Sequence, residues 1–182
     1  RNSLEWWYLT GHLKDKKIGI ALGGGASLGI AHIGVIKAFQ EFEIVPSYIS
    51  GTSVGALVGG FWAYGKSWEE MLAIAKELRW LDITQLTFSK LGLLSNQKLD
   101  ELVSKHLDNV TFEDLQIPLT IVAMDISSGE VVLLESGYVG SAIMASTCIP
   151  GVFVPVELDG RMLVDGGVLE NVVPYPRNVK PE

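Results

Sequence analysis

The chain is predicted to fold as an α/β domain on a mainly parallel sheet, on three observations. Short apolar runs alternate with stretches of helical period through the first half. Two strand-to-helix junctions are rich in glycine. The composition supplies a core, with 48% hydrophobic and 19% charged residues in 182, a globular balance at a length that suits one domain. Strand–helix alternation means right-handed βαβ units around a parallel core.

The elements follow in order. Lys17 with the apolar run to Leu22 reads as a buried parallel strand. Gly29 to Phe42 carries Ile30, Ile33 and Ile36 at helical period and ends among Glu41 and Glu43. Ile44 to Ser50 reads as a second strand, Gly51 to Gly55 as a tight turn, and Ala56 to Tyr64 as a deeply packed helix of small residues. Ser67 caps a helix to about Trp80, with Glu69 and Glu70 in its favoured first turn. Ser95 caps another, through Asn96 to Leu107. Pro118 to Ile126 and Glu130 to Glu135 are strands joined through Ser127-Ser128-Gly129; Ser141 to Ser146 is a short helix stopped before Pro150-Gly151. Arg161 to Val164 is a last strand, entered by an Asp159-Gly160 turn. Residues 1–182 form a single domain with residues 1–16 as an N-terminal extension, and the ends read as those of a piece cut from a longer protein.

A net charge of −7 argues against nucleic acid and against adsorption to anionic lipid by charge, so contact with a lipid surface needs apolar side chains. Of these, Trp6, Trp7, Trp62 and Trp68 are either core or, if exposed as a cluster, a lipid contact. Cys148 is the single cysteine; it reads as a packed thiol, without disulfide or multi-cysteine metal site. Residues 1–16 carry Glu5, Lys14 and Lys16 and do not read as a signal peptide. The long uncharged run from Ile44 to Gly65 holds Pro46 and several glycines, which argue against a spanning helix. The expected location is the cytoplasm or the membrane periphery.

Three motifs carry chemistry. Gly23-Gly24-Gly25-Ala26-Ser27-Leu28-Gly29 stands between a strand and a helix, where backbone amides converge on a phosphate or an oxyanion. A P-loop would place Lys after Gly29, where Ile30 stands. A dinucleotide fold would close its second strand with an acid, where Ser50 stands. Gly51-Thr52-Ser53-Val54-Gly55 is a G-x-S-x-G turn, whose glycines let a serine stand exposed at a helix start. A serine nucleophile needs a base, yet His12, His32 and His106 all lie well before the C-terminal third. A Ser…Asp…His order is therefore absent; His32 reads as structural, and His12 and His106 as surface residues. The third motif, Val164-Asp165-Gly166-Gly167, supplies a carboxylate with two glycines that permit close approach of the nucleophile turn. Asp125, at a strand end, reads as a structural hydrogen-bonding residue.

Together and in this order, the motifs resemble the patatin-like phospholipase family, over Ile18 to about Pro174. The segments Gly29-x-Ala31-His32-x-Gly34-Val35, Ala145-Ser146-x-x-Ile149-Pro150-Gly151-x-Phe153-x-Pro155-Val156 and Asp165-Gly166-Gly167-Val168 with Asn171 are similar as well. The resemblance implies a three-layer α/β/α fold and a serine lipid acyl hydrolase cleaving fatty-acyl esters through an acyl-enzyme. Ser53 would be the nucleophile and Asp165 the base. Amides of Gly24, Gly25 and Ala26 would form the oxyanion hole, with Gly23, Gly29, Gly51, Gly55, Gly166 and Gly167 shaping the site. It implies no cofactor and no metal, a lipid or fatty-acyl ester as partner, and peripheral membrane contact. Two departures stand out. Leu28 replaces the basic residue frequent before the loop's last glycine, and Asn171-Val172-Val173-Pro174 sets the proline one place late. Leu28 motivates an alternative, a fold-retaining binding or scaffold domain with weak or lost turnover; an esterase for small soluble substrates is another.

Overall fold

The computed structural model describes residues 16–77, 97–169 and 171–173. Trp6, Trp7, His12, the expected end of a helix at Trp80, the Ser95 cap and Pro174 lie outside the described residues. The elements in chain order are β1 (Gly19–Leu22), α1 (Ile30–Glu41), β2 (Tyr48–Thr52), α2 (Val54–Ala63), α3 (Trp68–Glu77) and α4 (Gln97–Leu107). They continue with β3 (Leu119–Asp125), β4 (Glu130–Leu134), α5 (Val139–Ser146), β5 (Val156–Leu158) and β6 (Arg161–Asp165).

The second strand departs from its expected bounds. It begins at Tyr48 and runs through Gly51 and Thr52, so the tight turn is confined to Ser53. Pro46 has no N–H to give a ladder, and the Ser47 N–H donates to the Ile18 carbonyl at the strand's threshold. A further strand, β5, precedes the Asp159-Gly160 turn, whose positive φ values (50° and 73°) fit a two-residue hairpin. Ser67 and Glu70 form a reciprocal cap at the start of α3, each side chain bonded to the other's backbone N–H.

The sheet has a parallel core, β1 beside β2 beside β3. Because the chain steps the same way across the sheet at each crossover, right-handed connections put α1 and α2 on one face. All of α2 is buried, and Gly59 packs against Ile49, Leu22 and Leu119. The main core lies here, with Ile33, Ile36, Phe61, Trp62, Ile121 and Ile143 among its members. Phe39 meets Trp62 edge to face at 5.7 Å. Residues of β2 alternate faces, so Ser50 and Thr52 point away from α2; they are buried too, as the three-layer α/β/α plan requires.

The remaining strands pair antiparallel and create the arrangement that matters most. β4 runs along one edge of β3, from Ile121↔Leu134 to Asp125↔Glu130. The other edge is shared. β2 takes its first half, ending at Thr52↔Val122, and β6 takes its second half, ending at Ala123↔Asp165. The two strands approach from opposite directions and terminate head to head.

Candidate active site

Ser53 follows β2 directly and has φ 55°, ψ −125°, an uncommon conformation for a residue with a side chain, typical of functional turns. Its surroundings enforce it. A Cβ at Gly55 would lie 2.0 Å from the Leu22 carbonyl oxygen, and one at Gly51 would lie 2.6 Å from the Gly55 oxygen. The first turn of α2 therefore sits directly on the strand ends. Gly29 of the glycine loop packs equally tightly on Val54, and a Cβ at Gly24 would stand 3.1 Å from the Ser53 Cβ. The loop thus lies against the Ser53 turn.

Asp165 ends β6 and is 8% exposed. Its N–H donates to the Cys148 carbonyl, and its Oδ1 accepts the Gly167 N–H, both at 2.8 Å. Gly166 crosses β3 so closely that a Cβ would lie 2.8 Å from the Val122 oxygen. Val122 is also the partner of Thr52. β2 therefore ends opposite Val122 and β6 ends opposite its neighbour Ala123, with Gly166 passing over Val122, which brings the neighbourhoods of Ser53 and Asp165 together. Burial, and then the Asp165 carboxylate, push the Cys148 thiol pKa up; Cys148 is a packed core thiol that donates to the Val154 carbonyl.

Asn171 closes the circuit. Its Oδ1 accepts the Gly24 N–H at 2.7 Å and its Nδ2 donates to the Gly24 carbonyl at 3.4 Å. A Cβ at Gly167 would lie 3.3 Å from Asn171 Oδ1 and 3.1 Å from Asp165 Oδ1. The glycine loop and the segment after Asp165 are thus fastened to each other. The Gly24 amide, expected among the oxyanion donors, donates to Asn171 Oδ1. Gly25 adopts φ 157°, ψ 19° at the start of the short helical turn Ala26–Gly29.

His32 Nε2 lies 2.8 Å from the Gly23 carbonyl. A carbonyl only accepts, so Nε2 carries the proton, and the ring holds the loop. His106 differs from its surface expectation, since its ring stacks edge-on against buried Phe61 at 5.8 Å. Asp125 is structural: its Oδ1 accepts the Ser127 N–H at 2.9 Å, and this bond holds its carboxyl below the usual range. Trp62 is buried and Trp68 packs beneath Lys37. Among the described residues no group of three His, Cys, Asp or Glu side chains could hold a metal ion, and no helix is long and apolar enough to cross a membrane.

The sequence did not mark the role of Ser146. It is fully buried, its Oγ accepts the Ser53 N–H at 2.8 Å, and it donates to the Val122 carbonyl at 2.6 Å. A signal was present: Val139, Ala142, Ile143 and Ser146 fall at helical spacing on one buried face of α5, and a buried hydroxyl needs partners.

Known proteins match most of this chain. Residues 20–176 match the family model described as patatin-like phospholipase. An uncharacterized NTE family protein of Mycobacterium tuberculosis is 41% identical over 161 residues, covering 85% of this chain and 43% of that protein. The lysophospholipase nte1 of Emericella nidulans is 31% identical over 170 residues, covering 90% of this chain and 11% of that protein. The chain thus spans less than half the length of these relatives. Among solved structures, VipD from Legionella pneumophila superposes with a TM-score of 0.61 at 17% identity, over 90% of this chain and 48% of that one, a likeness of fold. A family match over most of the chain, on a fold that joins the G-x-S-x-G turn to the D-G-G strand end, makes this chain a member of the patatin-like phospholipase family.

Proposed function

We propose that this chain is a serine lipid acyl hydrolase working through Ser53 and Asp165. The observation that carries the reading is the head-to-head meeting of β2 and β6 on one edge of β3, where the two strands end opposite the adjacent residues Val122 and Ala123. Ser53 Oγ attacks the ester carbonyl as its proton passes to Asp165. The tetrahedral oxyanion is held by the backbone amides of Gly25 and Ala26, pre-oriented by the loop. The intermediate collapses, the alcohol leaves with the proton from Asp165, and an acyl-Ser53 ester remains. Water then attacks that ester, gives a proton to Asp165, and the fatty acid departs as the proton returns to Ser53. His32 is assigned to holding the loop, its Nε2–H donating to the Gly23 carbonyl.

Two further observations favour a lipid substrate. Fungal relatives carry the name lysophospholipase. The segments that bear the site also expose Leu28 (74% exposed), Val168, Leu169 and Val172, apolar surface suited to acyl chains and to a membrane at its periphery. With a net charge of −7, that contact rests on apolar burial and suits zwitterionic or neutral lipid.

The test is active-site labelling. A fluorophosphonate carrying a long alkyl chain is incubated with the purified protein and the modified peptide is identified by mass spectrometry. Label on Ser53, absent in Ser53→Ala, is the expected result. No label, with intact folding, favours the binding or scaffold alternative. Faster labelling by a short-chain phosphonate than by a long-chain one favours a small-ester hydrolase.

A further inference from the structure

The ladder between β2 and β3 contains an inserted side chain at its last rung. The Ile49 N–H donates to the Pro118 carbonyl at 2.9 Å, with Ile49 opposite Leu119. A parallel ladder repeats every two residues, so the next donors along β2 are Gly51 and then Ser53, and the Ser53 N–H belongs opposite the Val122 carbonyl. Both groups of that rung are instead bonded to Ser146. Its Oγ takes the Ser53 N–H at 2.8 Å and gives its own proton to the Val122 carbonyl at 2.6 Å. The residue comes from the end of α5, 93 positions from Ser53, and is wholly buried.

We infer that Ser146 is the positioning residue for the nucleophile. A direct rung would draw the Ser53 backbone against β3 and continue the strand. One interposed oxygen holds the amide farther out, where the chain leaves the sheet at φ 55°. The same oxygen satisfies two backbone groups that the turn would otherwise strand in the interior. Val122 is also the residue that Gly166 crosses, so the bridge ties the nucleophile turn to the point where the Asp165 strand ends. The hydroxyl has no role in proton transfer; its one proton is given to Val122. This assignment rests on the reading of Ser53 as nucleophile.

The test compares folded variants by the rate at which the long-chain fluorophosphonate labels Ser53, and by kcat and KM on a lysophospholipid. Ser146→Ala is expected to lower the labelling rate and kcat by about 10- to 100-fold, the scale of an ångström-sized misplacement, with KM within about twofold. Ser146→Cys, nearly the same shape with weaker hydrogen bonding, is expected to fall between Ser146→Ala and the wild type. Thr147→Val is the control: it removes a hydroxyl that bonds only within α5, to the Ile143 and Met144 carbonyls. It should lower thermal stability and label at the wild-type rate. Wild-type labelling by Ser146→Ala or Ser146→Cys overturns the inference, as does equal slowing by Thr147→Val. Should Ser146→Ala fail to fold, Ser146→Cys decides, a slowed rate supporting the inference and an unchanged one ending it. Failure of the nucleophile reading is distinguishable, since the probe would then modify the wild-type protein elsewhere or not at all.

Discussion

The two strand ends that meet on β3 hold their functional groups by opposite means. At the end of β2 the backbone is forced: Ser53 sits at positive φ, pressed by Gly51, Gly55 and the glycine loop, with its amide bridged through Ser146. At the end of β6 the backbone is relaxed, with Asp165 at φ −53°, ψ 122°, and the side chain fixes itself by accepting the Gly167 N–H. Ser53 is placed by what surrounds it, the Asp165 carboxylate by its own bond. Substitutions at the two ends should therefore fail differently.

The largest effect is expected at Ser53. Ser53→Ala leaves every enforcing contact of the turn in place, so the fold should persist while ester hydrolysis falls by roughly 10³-fold or more. A purified variant keeping over about a tenth of wild-type activity would remove Ser53 from its role. Asp165→Asn comes next, with kcat lower by about 10²- to 10⁴-fold. The amide oxygen can still accept from Gly167, so thermal stability should change little; a large fall in stability would mean that the carboxylate's charge, not its shape, holds this end.

Asn171→Ala tests the fastener between the loop and the Asp165 segment. Losing its bond to Gly24 should cost about tenfold in kcat, the worth of one hydrogen bond. A rise in kcat would instead identify the Gly24 amide as a third oxyanion donor that Asn171 restrains. The smallest effects separate two Asp-Gly pairs. Gly160→Ala, at φ 73° with open space around it, should cost about 1–2 kcal/mol of stability and leave activity intact. Gly166→Ala places its Cβ 2.8 Å from the Val122 oxygen; it should cost about 1–3 kcal/mol and also lower kcat, because β6 must shift with Asp165. Equal activity in the two variants would contradict the close approach at Gly166. Urea denaturation and initial rates read both.

The same comparison explains what the sequence made legible. Glycines forced by close approach leave a pattern in the chain, so the turn at Ser53 and the strand end at Asp165 could be placed, and with them the family resemblance. Contacts made by a single side chain across the fold leave little trace. Ser146 reads locally as a hydroxyl in a short apolar helix, and its partners lie in two distant strands. Asn171 is legible as a matching residue, but its grip on Gly24 exists only in three dimensions. The bounds of β2 were misjudged because the apolar Ile44 and Val45 precede Pro46, whose missing N–H delays the ladder, while Gly51 and Thr52 look like turn residues and yet pair with β3. β5, at three residues, is too short to carry a legible pattern.

The bond between Gly24 and Asn171 spans 147 positions, and it has a consequence in time. Long-range contacts are slow to form, and a chain leaves the ribosome N-terminus first. On the proposed mechanism, the serine and its glycine loop emerge before the carboxylate and the fastener, which follow only after β3, β4 and α5. A nascent chain is therefore a nucleophile without a base, carrying an untethered loop. On that mechanism the order of synthesis would work as a safety catch, withholding hydrolytic competence until the β5–β6 hairpin docks on the free half of the β3 edge.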